Sequence, residues 1–484
     1  MKRLAFARSR ADAPFVHPPI AAPVHASYTL ALPTDSRRRL AIAWVALGVG
    51  ALALSGVLAV MLVLSRTPGL ARVFPVGDFF HVALVAHVDL SVLVWFAAFA
   101  GALWSLSSTP RMQALGWVSL ALCALGTVLI AIAPFAGGTP VMANYVPVID
   151  APAFLAGLAV FGAGFALLVT RGLCASAPVS FALDGRDVLR FGLNASAVAA
   201  AVALLALAWS AIAVPGSLDA KGYYELLFWG GGHVIQFAWT LLLLVAWLLL
   251  ADAIGLAVPI SPRAAALLFG VCLAAVFVTP LIYLAYDVAS VEHHRLQTWL
   301  MRFGGGLAIV PVAAAVVFAL ARGPVPGRAA HDPQAAPLRA TLVCSILLFG
   351  AGGLIGYAIK GSDVRIPAHY HGAIVGVTLA LMGVAYWLLP RLGFGMPAAR
   401  LATWQAYLYG GGQLMHITGL VWSGGYGVQR KVADGAQAVR AIEQTLGMGL
   451  MGVGGFVAIV GGMLFVMAVV GAVARRPRPA GERD

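Results

Sequence analysis

Residues 363–390 read DVRIPAHYHGAIVGVTLALMGVAYWLLP, an apolar stretch with two histidines, His369 and His371, just inside its start. If the stretch is helical, residues two apart are turned by about 200°, so these imidazoles leave opposite faces of one rod. One rod can then serve two separate metal centres. Ionisable groups in apolar spans are costly and usually face a protein interior where they do chemistry. The plainer alternative is that both rings only hydrogen-bond to neighbouring carbonyls, and the positions of the other histidines bear on the choice.

His293 and His294 are adjacent, so on a helix their side chains diverge by about 100°, and both can reach one ion beside a neighbouring rod. His233, directly after Gly230, Gly231 and Gly232, can supply a third imidazole. Three neutral imidazoles suit copper or iron and leave a position open for a small molecule. His87 can pair with His371 as the axial ligands of a closed, six-coordinate haem, while His369 holds a five-coordinate haem open towards the three-histidine metal. His81 competes with His87, but six residues earlier on a helix it is turned by about 240°. His17, His25 and His331 read as solvated surface residues.

The elements that must position these groups follow from composition. Hydrophobic residues make up 61% of the 484, charged residues 10%, and the mean hydropathy is +0.92, which excludes a soluble domain of this length. The expectation is an all-α polytopic membrane protein with twelve spanning segments of about 20 residues or more. They fall at 40–64, 80–106, 113–136, 148–171, 189–213, 222–251, 264–290, 297–321, 339–360, 367–390, 401–423 and 443–473. Pro280 and Pro311 lie inside the seventh and eighth, where packed neighbours tolerate a kink.

One membrane domain, 40–473, is expected between a basic tail, 1–39, and a short tail, 474–484. The first tail has no apolar core or small-residue cleavage site, so it reads as a cytoplasmic tail and not a signal peptide. With both termini cytoplasmic, the tails and even-numbered loops hold roughly two thirds of the 31 Lys and Arg, the bias that basic residues show in membrane proteins. The net charge of +13 then needs only anionic membrane lipid as its partner and no nucleic acid. Under this orientation His87, His233, His293, His294, His369 and His371 share one depth, towards the outer face. His293 and His294 come at the far end of the seventh segment. Cys123, Cys174, Cys272 and Cys344 form no CxxC or CxxCH, so neither covalent haem nor a dinuclear copper site is expected.

These residues carry a resemblance. The chain resembles subunit I of the haem-copper oxidase superfamily over almost its whole length, through AHVDLSVLVWF in segment two, GGGHVIQF in segment six, EHH after segment seven and AHYHG in segment ten. The resemblance implies two haems, one low-spin on His87 and His371 and one high-spin on His369, with copper or non-haem iron on His233, His293 and His294. It also implies an electron-donating partner subunit or a cytochrome c or cupredoxin, and residence in a bacterial inner membrane. QLMHITGLVWSGGYGVQRK resembles the family's segment near the haem propionates, which makes Arg430 and Lys431 candidate contacts. Asp363 and Arg365 could belong to the same polar cap.

Oxygen-reducing relatives commonly carry a tyrosine four residues beyond the segment-six histidine, where this chain has Phe237. Another branch places it in segment seven, six residues before the histidine pair; here that position is Asp287, with Tyr286 one residue off. Read as part of one helix, Asp287 would lie on the face of His294 and about 10 Å deeper, as a proton carrier or metal partner. The helix-six glutamate of pumping oxidases is replaced by Ile235. Nitric oxide reductases of the superfamily do without the tyrosine, because joining two nitric oxide molecules needs only two electrons and two protons, but the best-known of them carry a segment-six glutamate on the second metal, iron, where this chain again has Phe237; Asp287 is the candidate to supply that carboxylate. The expectation is therefore a terminal reductase, with nitric oxide ahead of dioxygen. Gln236, Glu292 and Glu225 are polar candidates for shaping the metal or carrying protons. A transporter whose histidines relay protons is the competing class.

Overall fold

The computed structural model describes residues 27–65, 78–327, 332–359, 361, 363–429 and 441–475. Twelve rods account for nearly all of them. They are α1 (Ser36–Ser65), α2 (Phe79–Ser107), α3 (Gln113–Phe135), α4 (Pro152–Cys174), α5 (Gly185–Ala213) and α6 (Ala220–Ala253). The second half holds α7 (Pro262–Ala285), α8 (Val291–Arg322), α9 (Ala335–Ala358), α10 (Arg365–Arg391), α11 (Ala399–Gly425) and α12 (Ile442–Ala474). Eleven are long and apolar enough to cross a membrane; the other, α11, has the length but is diluted by polar residues, several of which turn out to face the site. The chain is an integral membrane protein.

Sequential helices pack as antiparallel pairs, α3 on α4, α5 on α6, α9 on α10 and α11 on α12. Small residues allow this in a bilayer, where close backbone approach replaces a hydrophobic driving force. A Cβ on Gly372 would sit 2.6 Å from the Gly352 Cα, so α10 can meet α9 only because both positions lack side chains. The histidine-bearing α6 and α10 are the most enclosed rods.

Three irregularities shape the end of the bundle that carries the histidines. In α2 a π-helical turn, Asp89–Val94, begins two residues after His87 and changes the register of everything beyond it. In α7 the helix is interrupted at Phe277; Pro280 cannot donate to the carbonyl of Val276, where the first part ends. In α8 the Gly304–Gly306 run divides the rod. A hairpin, β1 (Thr139–Val141) on β2 (Val148–Asp150), folds back over the same end between α3 and α4.

One boundary differs from expectation. His293 and His294 do not end the seventh rod but lie in the first turn of the eighth. Tyr286 is extended, and Ser290 caps α8 by accepting the His293 N–H at 3.1 Å. The sequence DVASVEHH supplies a turn, a serine cap and an acid in the first helical turn, a start signal that outweighs the apolar count.

Replacing Gly372 with Val should force α9 and α10 apart at a cost of about 1–3 kcal/mol. A lowered unfolding temperature of the detergent-solubilised protein would register it, whereas Gly353→Val, at a position where a Cβ meets nothing within 4 Å, should change little.

Candidate functional site

Seven histidines converge on this end of the bundle, and five share one device: Nδ1 is held by a backbone carbonyl. For His233 and His294 the carbonyl belongs to their own helix, Trp229 at 2.7 Å and Ser290 at 3.1 Å. For the others it belongs to a neighbour: Ser55 of α1 holds His87 at 2.9 Å, Gly352 of α9 holds His369 at 2.7 Å, and Met451 of α12 holds His416 at 3.0 Å. A carbonyl can only accept, so each of these rings carries a proton on Nδ1, and in its neutral form leaves the Nε2 lone pair free. Histidines that bind metals are commonly oriented in this way. His81 is outside the pattern, paired with Asp78 at 2.6 Å at the start of α2.

His293 has a different character. It is 1% exposed, and neither ring nitrogen has a partner. A buried polar pair without partners is costly unless something else binds it. Around it, the Trp229 indole lies between His233 and His294, with ring centroids 4.7 and 4.6 Å away. Thr298, one turn beyond His294, donates to the His294 carbonyl at 2.8 Å and approaches His233 Nε2 at 3.3 Å. Its single proton serves the shorter contact, which leaves the His233 lone pair undonated.

Among the described residues no three His, Cys, Asp or Glu side chains stand clustered as for one ion. His293 and His294 have ring centroids 6.2 Å apart, and both lie close enough to His233 to act on it electrostatically, with Trp229 packed against His233 and His294. The donor set nevertheless fits a second metal, since it offers free Nε2 atoms and one wholly unpartnered imidazole. It fits haem as well. His87 and His371 are both half-buried and stand close enough to each other to interact electrostatically. His369 leaves the opposite side of α10, its ring against Gly356 of α9 at the glycine's vacant Cβ position.

Two tyrosines that spacing did not single out stand in this site. The Tyr283 ring meets His293 edge-on at 4.6 Å, its hydroxyl is 2.7 Å from Ser210 Oγ, and it presses on Gly230, where a Cβ would collide with that hydroxyl. Tyr145, from the hairpin tip, covers Gly232 and lies 4.8 Å from the His233 ring; burial pushes its phenol pKa up. The glycines before His233 were the available signal, since Gly230 and Gly232 each admit a tyrosine ring. Asp89, 1% exposed with a buried Oδ2 lacking a partner, was also overlooked.

Several expected residues lie elsewhere. Asp287 is not deeper than His294 on a shared face: it is exposed in the α7–α8 turn, where Oδ1 accepts the Ala289 N–H at 2.8 Å. Tyr286, 41% exposed and extended, points away from the site for the same reason, the end of α7 at Ala285. Glu292 is exposed in the first turn of α8. Glu225 holds the hairpin tip through the Asn144 backbone and side-chain amide, a structural task. Gln236 donates to the Gly232 carbonyl at 3.2 Å and stands beside Tyr145. Arg430 and Lys431 lie outside the described residues. Asp363 and Arg365 form a local cap, with Arg365 Nε 2.9–3.0 Å from both Asp363 oxygens, while Val364 N–H bonds to Val428 O and so ties the start of α10 to the end of α11.

A twelve-rod membrane bundle with anchored histidines on α2, α6, α8, α10 and α11 defines a class of membrane redox scaffold. Its fold matches a heme-copper terminal oxidase dimer solved by cryo-EM, with TM-score 0.70 and 17% identity, over 91% of this chain and 84% of that one. The family described as cytochrome C and quinol oxidase polypeptide I matches residues 39–464, and the chain belongs to it, as a haem-copper oxidase subunit I. Similar chains include an uncharacterized protein of Rickettsia prowazekii (strain Madrid E), 28% identical over 88% of this chain and 94% of that one. Another, from Aquifex aeolicus (strain VF5), is 31% identical over 72% of this chain and 85% of its own length. The family implies an oxidoreductase.

The Arg365 guanidinium holds the Asp363 carboxyl below its usual pKa. A carboxyl lowered on folding contributes stability that is fully present above its unfolded pKa, near 4, and is lost as pH falls through the lower folded value. Asp363→Asn should therefore unfold with less dependence on pH than the parent below about pH 4, measured as unfolding temperature across an acid series.

Proposed function

We propose that the chain is the catalytic subunit of a terminal reductase in which His87 and His371 hold a low-spin haem, His369 a high-spin haem, and His233, His293 and His294 copper or non-haem iron. When bound, these groups carry electrons and polarise a diatomic substrate. The protein's part is to orient the imidazoles through carbonyl anchors, to keep water from the centre with Trp229, Tyr145 and Tyr283, and to admit protons at the histidine end past exposed groups such as Glu292. The electrons come from a partner, whether a subunit or a soluble cytochrome c or cupredoxin. Both termini are placed in the cytoplasm and the site towards the opposite face of a bacterial inner membrane.

Nitric oxide is the substrate this reading places first. The observation that carries it is Phe237, one turn beyond His233, 2% exposed and directed at Gly304, so the ring can donate neither a proton nor an electron. Against it, the carboxylate that the best-known nitric oxide reductases place on the second metal is missing at Phe237, and Asp287 stands exposed in a turn, within electrostatic reach of His293. Dioxygen is the second reading, and Tyr283 is the observation that favours it, because O–O cleavage draws on a nearby phenol and this one touches His293.

Purified protein supplied with an electron donor under nitric oxide should form nitrous oxide, measured by gas chromatography, with Tyr283→Phe retaining most of that activity. Oxygen uptake that is fast in the parent and falls at least about tenfold in Tyr283→Phe would instead establish the second reading. His371→Ala should remove the low-spin haem band and keep the high-spin one; retention of both would mean that the two faces of α10 are exchanged.

A further inference from the structure

The carbonyl anchors leave one haem-ligand candidate unexplained. His371 has no carbonyl within hydrogen-bonding distance among the described residues, although its counterpart His87 is held twice, by the Ser55 carbonyl and by the Ser55 hydroxyl, each at 2.9 Å. An axial ligand free to rotate about its side-chain bonds would define neither the direction of Nε2 nor the tautomer. Beside His371 stands a pair from α11. The His416 ring is 4.8 Å away between centroids and tilted by 54°, and the Gln413 side chain, one turn earlier, lies within hydrogen-bonding reach of the His371 ring. Gln413 Oε1 is buried with no partner. A buried acceptor without a donor therefore adjoins a ring without an acceptor, and rotation of one amide joins them. His416 cannot swing away, since its own Nδ1 is committed to Met451 O on α12.

We propose that Gln413 and His416 are positioning residues for His371: Gln413 Oε1 accepts a hydrogen bond from His371 Nδ1, and the fixed His416 ring limits rotation from behind, so that Nε2 is held in one direction. The inference rests on the reading of His87 and His371 as the axial pair. It assigns the polar residues of α11 a task that α9 and α1 perform with backbone for His369 and His87. The chemical consequence is electronic. A hydrogen-bonded Nδ1–H makes Nε2 a stronger donor, which stabilises the oxidised iron and lowers the midpoint potential.

The test is a redox titration of the low-spin haem band in the purified holoenzyme, with haem content counted for each variant. Gln413→Met, similar in length but without the acceptor oxygen, should raise the midpoint potential at unchanged haem content. Gln413→Glu, which keeps an acceptor, should hold the potential at or below that of the parent. If the Met variant fails to retain haem, the Glu variant decides together with His416→Phe, which should broaden or shift the low-spin electron paramagnetic resonance signal. Potentials and spectra that match the parent in all variants, at full haem content, overturn the inference while leaving the proposed function intact. A parent protein without a bis-histidine spectrum overturns the proposed function itself.

Discussion

The hydrogen bond from an imidazole Nδ1–H to a backbone carbonyl is the interaction on which the rest of this structure depends. Within a helix the carbonyls are already used by the i→i−4 ladder, so a histidine must share one, as His233 does with Trp229 and His294 with Ser290. A ring anchored across helices asks more, since the neighbouring backbone must come within reach of a side chain. For His369 that requirement is met because α9 and α10 touch at Gly352 and Gly372; the carbonyl that holds the ring belongs to one of the two glycines in contact. Close helix packing and ligand orientation are here the same event.

The break between α7 and α8 has comparable weight. Had the helix run on from Pro262 through His294, Asp287 would have faced the site and Tyr283 would have lain on another side. Ending α7 at Ala285 and capping α8 with Ser290 sends Asp287 and Tyr286 to the surface and brings Tyr283 against His293. A serine cap worth about 1 kcal/mol thus changes which polar groups accompany the candidate metal ligands. The result is a site whose lining near His233 and His293 is aromatic, Trp229, Tyr145 and Tyr283, with its carboxylates at the rim.

Asp89 is a buried carboxyl that follows His87 by two residues. It stands at the first position of the π-helical turn, in the register of the helix before it, and is enclosed among α1, α2 and α3. Such turns recur at functional sites because they aim side chains that a regular helix would separate.

Sequence by itself determined the class of fold and the number of rods, and singled out six of the seven histidines at one end of the bundle. Those properties depend on local quantities: the length of apolar runs, the cost of an imidazole in a bilayer, and the angle between neighbours on a helix. The HxH of α10 was legible as two opposed faces, and the structure sends His369 towards α9 and His371 towards α11. Tertiary structure alone decided which tyrosine meets which histidine and which carbonyl of a neighbouring helix holds His87, His369 and His416. Tyr145 and His233 are brought together by a hairpin folding over the bundle, and His87 is held by a residue 32 positions away on α1. Contacts of that kind arise from how rods cross, which is set by packing between segments distant in the chain, so no spacing within one segment encodes them.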